Sequence, residues 1–119
     1  PRSVENQRKE FVNQPLFNRY SLRLKYFMNF SGYKRITLSS WKHMLNQNQL
    51  YLLKEISPKK ILLIYGKQDP FFPIEKIGAY KSLYPTLEVH AIDSAGHMPH
   101  YEQPQEVNPL MWNYLQTAK

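Results

Sequence analysis

Two residues in the second half of the chain have the right chemistry and spacing to act on each other, Asp69 and His97. A carboxylate that accepts from one imidazole nitrogen fixes the ring's tautomer. It also stabilises the imidazolium formed when the other nitrogen takes a proton. That pair can serve general base and then general acid chemistry. It needs both side chains on one edge of a scaffold, so the elements that carry them decide whether they meet. Asp93 competes for the role of acid, but it lies four residues before His97 near the end of the same predicted strand, so Asp69 is preferred.

The positioning elements are legible from periodicity. Ile61-Leu62-Leu63-Ile64-Tyr65 is a continuous apolar run, as expected for a strand covered on both faces in a parallel sheet. Gly66-Lys67-Gln68-Asp69-Pro70 ends it in a loop. Residues 74–84 read as a helix with Ile77, Tyr80 and Tyr84 inward, and residues 87–92 as a second strand. Asp93-Ser94-Ala95-Gly96-His97 forms the loop after it. Asn108 is predicted to cap a closing helix with Pro109 at its first position, and Val107, Leu110, Met111, Tyr114 and Leu115 give that helix one apolar face. Strand, helix, strand, helix implies a βαβ crossover and a parallel pair, so both loops leave the carboxyl ends of the strands, where sites of open α/β sheets gather. Gly66 and Gly96 are read as permitting the tight turns that aim the two side chains.

The order of these features resembles the last two strands and helices of the α/β-hydrolase fold family. The likeness rests on the apolar strand, Gly66-Lys67-Gln68-Asp69, Pro73, a helix, a strand, Ala95-Gly96-His97, Glu102, Pro104 and a final amphipathic helix. It covers about half the chain. It implies an α/β fold in which this chain is the C-terminal part of a parallel sheet with flanking helices, preceded by a helical, cap-like region. It further implies that Asp69 orients His97 in the triad of a serine-type hydrolase acting on an ester or similar acyl bond of a small molecule, with no cofactor and no metal. The family also holds members with an aspartate nucleophile, and a few lyases and peroxidases.

The nucleophile is missing. That family places it at a Gly-x-Ser-x-Gly elbow between strand and helix. The four glycines are Gly32, Gly66, Gly78 and Gly96, and no two flank a serine in that way. Ser31 and Ser94 lack the elbow context. An oxyanion-hole loop of the His-Gly-Gly kind is also absent. Two parallel strands buried on both faces need neighbours, so the chain is expected to pair with the missing N-terminal half of a hydrolase domain or with a second copy. The alternative is a truncated, catalytically inactive interaction module. His97, His100 and Glu102 can be read as a metal triad, but Met98-Pro99 between them and the family pattern argue against it.

Residues 1–56 form the cap-like region and residues 57–119 the C-terminal βαβα part. In the first part Pro15 opens a helix whose Phe17, Tyr20, Leu24 and Phe27 share a face, and Ser31-Gly32 breaks it. A second helix is predicted from a cap at Ser39 or Ser40 toward Ile56, with Trp41, Met44, Leu45, Leu52, Leu53 and Ile56 as its stripe. These stripes read first as core packing and second as the lining of an acyl pocket. His43 and His90 read as packing or surface residues.

Of the net charge of +7, residues 1–60 carry +9 and residues 61–119 carry −2. A solvated helical surface explains this most simply. Anionic substrates or a membrane surface are weaker readings, and no nucleic-acid module is recognisable. The chain has no cysteine, so disulfides and thiolate chemistry are excluded. It has no apolar run of membrane-spanning length and no secretory signal at residues 1–10. The compartment is left open, leaning to soluble and cytoplasmic.

Overall fold

A computed structural model describes residues 4–44, 61–72 and 74–117. A 3-10 helix, Glu5–Glu10, leads into α1, Gln14–Met28. Asn13 caps α1 by accepting from the Leu16 amide at 3.0 Å, and Pro15 sits in the first turn, where its missing N–H costs nothing. The helix stops at Asn29, and Gly32, at φ 89°, makes the left-handed turn into α2, Tyr33–Met44. Ser39 and Ser40 therefore lie inside α2 rather than capping it. The Gly32 turn brings in the chain, and Gly32 carbonyl accepts from the Ile36 amide at 2.9 Å. Leu45, Leu52, Leu53, Ile56 and the expected boundary near Ser57-Pro58 fall outside the described residues, as does Pro73.

The apolar run becomes β1, Leu62–Gly66. Helix α3, Lys76–Leu83, returns the chain to β2, Glu88–Ile92, which pairs with β1 in parallel in the register Leu62 with Glu88 through Gly66 with Ile92. Among the described residues these two strands are the whole sheet. A one-turn helix that periodicity does not announce, α4 (Pro99–Glu102), precedes α5, Pro104–Thr117.

Helix α5 corrects the expected start. It begins at Pro104, and Asn108 and Pro109 sit within it. Pro109 forfeits the bond that the Gln105 carbonyl would accept; both residues face solvent, so water can replace it. Val107 is the buried anchor of this helix, with Leu110 packed beside it, whereas Met111 and Leu115 are exposed.

The core is small. Ile92, Ala95 and Val107, flanked by Ile64 and Leu110, join the sheet to α5. A second cluster holds Phe11 and Phe17, both buried, against the rings of Tyr20 and Tyr101. Burying Phe17 contributes about 1.5–3 kcal/mol. Phe17 and Tyr20 are thus packing residues. Phe27 instead meets Tyr26 and Phe30 on the surface.

Candidate active site

The acid loop leaves β1 and immediately hydrogen-bonds the histidine loop. Lys67 amide donates to Ile92 carbonyl at 2.9 Å and Gln68 amide to Ala95 carbonyl at 3.0 Å, while Gln68 Oε1 accepts from the Ala95 amide at 3.1 Å. These bonds extend the parallel ladder past the ends of the strands, so the two tips emerge side by side.

Asp69 and His97 meet there. His97 Nδ1 lies 2.8 Å from Asp69 Oδ2. The carboxylate accepts, so Nδ1 carries the proton and Nε2 is left as the basic nitrogen. Asp69 Oδ1 accepts from the amides of Phe71, at 2.8 Å, and Phe72, at 3.3 Å. The carboxylate is therefore fixed on both oxygens. Its side chain is 6% exposed against 45% for His97, which leaves the imidazole open on its outer side. The Phe71 and imidazole rings lie nearly perpendicular, with their centres 5.3 Å apart.

Asp93 is engaged elsewhere, paired with Lys67 Nζ at 2.8 Å on the surface, and that carboxylate holds the Lys67 ammonium above its ordinary range. His90 Nε2 contacts Glu88 Oε1 at 2.7 Å, and His43 is exposed on α2. Among the described residues no three His, Cys, Asp or Glu side chains gather as a metal site. Of the three residues read as a metal triad, Glu102 is 5% exposed and turned inward onto backbone amides. Nor does any hydrogen bond join a serine hydroxyl to His97 among the described residues.

The glycines act differently from expectation. Neither Gly66 nor Gly96 has a left-handed backbone; the left-handed residue of the histidine loop is Ser94, at φ 52°. What Gly66 and Gly96 supply is clearance. A Cβ on Gly66 would strike the carbonyls of Ala95 and Gly96, and one on Gly96 would strike the carbonyl of Glu10. The neighbour of that last contact, residues 10–13, belongs to the site although no motif marks it. His97 amide donates to Glu10 carbonyl at 2.7 Å. The apolar pair Phe11-Val12 is the one signal in the sequence that this segment packs inward, and in the structure the Phe11 ring is buried beside Phe17.

Comparison with known proteins gives the family. The family model described as alpha/beta hydrolase fold matches residues 5–104. The chain is 32% identical over 97 residues to the biotin biosynthesis bifunctional protein BioHC of Teredinibacter turnerae, covering 77% of this chain. It spans only 16% of the length of that relative. No solved structure matches. With a family match over most of its length and a parallel pair of strands joined by a crossover helix, this chain belongs to the α/β-hydrolase fold family.

Proposed function

We propose that this chain supplies the acid and the histidine of the catalytic triad of a hydrolase acting on an ester or similar acyl bond of a small molecule. The nucleophile comes from a segment outside these residues. The observation that carries this reading is the 2.8 Å contact of Asp69 with His97, made by a carboxylate whose other oxygen is already held by two amides. Asp69 fixes the tautomer with Nε2 free. Nε2 then removes the proton of an attacking hydroxyl and returns it to the leaving group, while Asp69 stabilises the transient imidazolium.

The remainder of the hydrolase domain is proposed to pack on the outer edge of β1 and on the exposed apolar residues of α5, Met111, Trp112 and Leu115. Residues of α1 and α2 form a cap-like region in this reading. The relative's name refers to biotin biosynthesis, and we take that pathway as the first setting in which to test turnover.

In the complete hydrolase, assayed with p-nitrophenyl acyl esters, D69N and H97A are each expected to lower kcat by about 10³–10⁴-fold. Undiminished turnover in H97A would refute the proposal. A fluorophosphonate probe should label a serine outside this chain; labelling of Ser31 or Ser94 would give the nucleophile a different place. The second reading, an inactive interaction module, draws on the same open strand edge. It predicts a stable oligomer of this chain in size-exclusion chromatography and no gain of turnover when the rest of the domain is supplied.

A further inference from the structure

Glu102 is a buried carboxylate that the acid–histidine contact does not use. Burial of a carboxylate is tolerated only where hydrogen bonds replace its hydration. Here three backbone amides do so. Oε1 accepts from Gly96 at 2.7 Å, and Oε2 accepts from Val12 at 2.7 Å and Asn13 at 2.9 Å. Gly96 directly precedes His97, whose own amide donates to Glu10 carbonyl at 2.7 Å. The contacts close a ring from Glu102 to the histidine loop, across to residues 10–13, and back to Glu102. Space inside it is tight, since a Cβ on Gly96 would lie 3.2 Å from Glu102 Oε1 and 2.9 Å from the carbonyl carbon of Glu10.

We infer that Glu102 is a positioning residue that sets the direction in which the His97 backbone presents its imidazole to Asp69, an inference that rests on the triad reading above. Among the described residues the imidazole ring has one hydrogen bond, to Asp69, and side chains hold its loop at three points: Gln103 Nε2 on the Ser94 carbonyl at 3.0 Å, Gln68 Oε1 on the Ala95 amide at 3.1 Å, and Glu102 on the Gly96 amide next to His97. Backbone placement at residues 96 and 97 therefore decides whether Nδ1 reaches the carboxylate. A carboxylate suits this task because both of its oxygens only accept. Glutamine has nearly the same shape but turns one arm into a donor facing N–H groups, so it must release either Gly96 or the Val12–Asn13 pair. Aspartate is one carbon too short to span both.

The test uses E102Q and E102A with two readouts. In the complete hydrolase, amide hydrogen exchange should show protection falling about tenfold or more at Gly96, His97, Val12 and Asn13, with the β1–β2 ladder amides unchanged. In the complete hydrolase, kcat should fall by about 10–10²-fold, KM for a short acyl ester should hold, and circular dichroism should show the variant folded at the assay temperature. Where E102A fails to fold, E102Q carries both readouts. Unchanged protection would overturn the inference. So would a loosened loop with kcat intact, since Glu102 would then be structural only. Turnover retained by H97A would sink the triad reading instead, and the exchange arm alone would decide whether Glu102 organises the loop.

Discussion

Replacing Gly66 by alanine tests whether the site is built on main-chain clearance. The added Cβ would overlap the carbonyl oxygens of Ala95 and Gly96 and lie 2.6 Å from the carbonyl carbon of Ala95. Contact between carbon atoms needs about 3.5–4.0 Å, so the histidine loop must retreat by about 1 Å. These are backbone atoms, and no side-chain rotation relieves them. The retreat breaks the Gln68 amide bond to Ala95 and the Ala95 amide bond to Gln68 Oε1. Each is worth about 1 kcal/mol. Overpacking adds about 1–3 kcal/mol, giving a total loss of about 3–5 kcal/mol. Small domains have only about 5–15 kcal/mol in hand. Gly78 is the control. It lies exposed in α3 with open space around its Cβ position, so G78A should stabilise by about 0.5–1 kcal/mol through helix propensity. Urea denaturation of G66A, G78A and the double variant reads both signs, and the double variant supplies the value should G66A alone fail to fold. A G66A midpoint within about 1 kcal/mol of the parent, at an unchanged slope, would refute the clearance argument.

Other outcomes follow from single contacts. N13A removes the cap of α1 and should cost about 1 kcal/mol in the same denaturation series. Burial pushes the Tyr20 phenol above its ordinary value, helped by the nearby charge of Glu10. The folded state thus holds that proton longer than the unfolded chain. This contribution is complete below the ordinary phenol value near 10 and fades as pH climbs through the folded value. Y20F should flatten the decline of stability in that alkaline window, and an identical pH profile would contradict the assignment. F17A leaves a void beside Phe11 and should cost about 3–5 kcal/mol, measured by thermal melting.

The strand pair and both loop tips were legible because their signals are local and unopposed. Ile61 to Tyr65 is an apolar run with few alternatives, and a parallel pair with one crossover forces Asp69 and His97 to the same edge. The start of α2 was not legible, since Gly32 works through a backbone angle and Ser39 and Ser40 carry a cap signature that tertiary context overrides. Asn108-Pro109 carries the signature of a helix start, but the helix opens at Pro104, which the sequence marks only as part of the family likeness. Glu102 was visible as part of a motif, but its partners are backbone amides, which every sequence contains. The reason for Gly66 and Gly96 was hidden similarly, because clearance depends on which main chain passes nearby.

The Val12 amide and the Glu102 carboxylate stand 90 residues apart along the chain. Loop-closure entropy rises with the logarithm of such a separation, so this bond cannot nucleate anything; it rewards a fold already collapsed around it. The parallel ladder, joined by one short crossover, can form first. On that ground the strands are expected to come together before the opening segment docks and fixes the aim of the imidazole. A polypeptide trimmed of its first thirteen residues should keep its ladder and lose its aim.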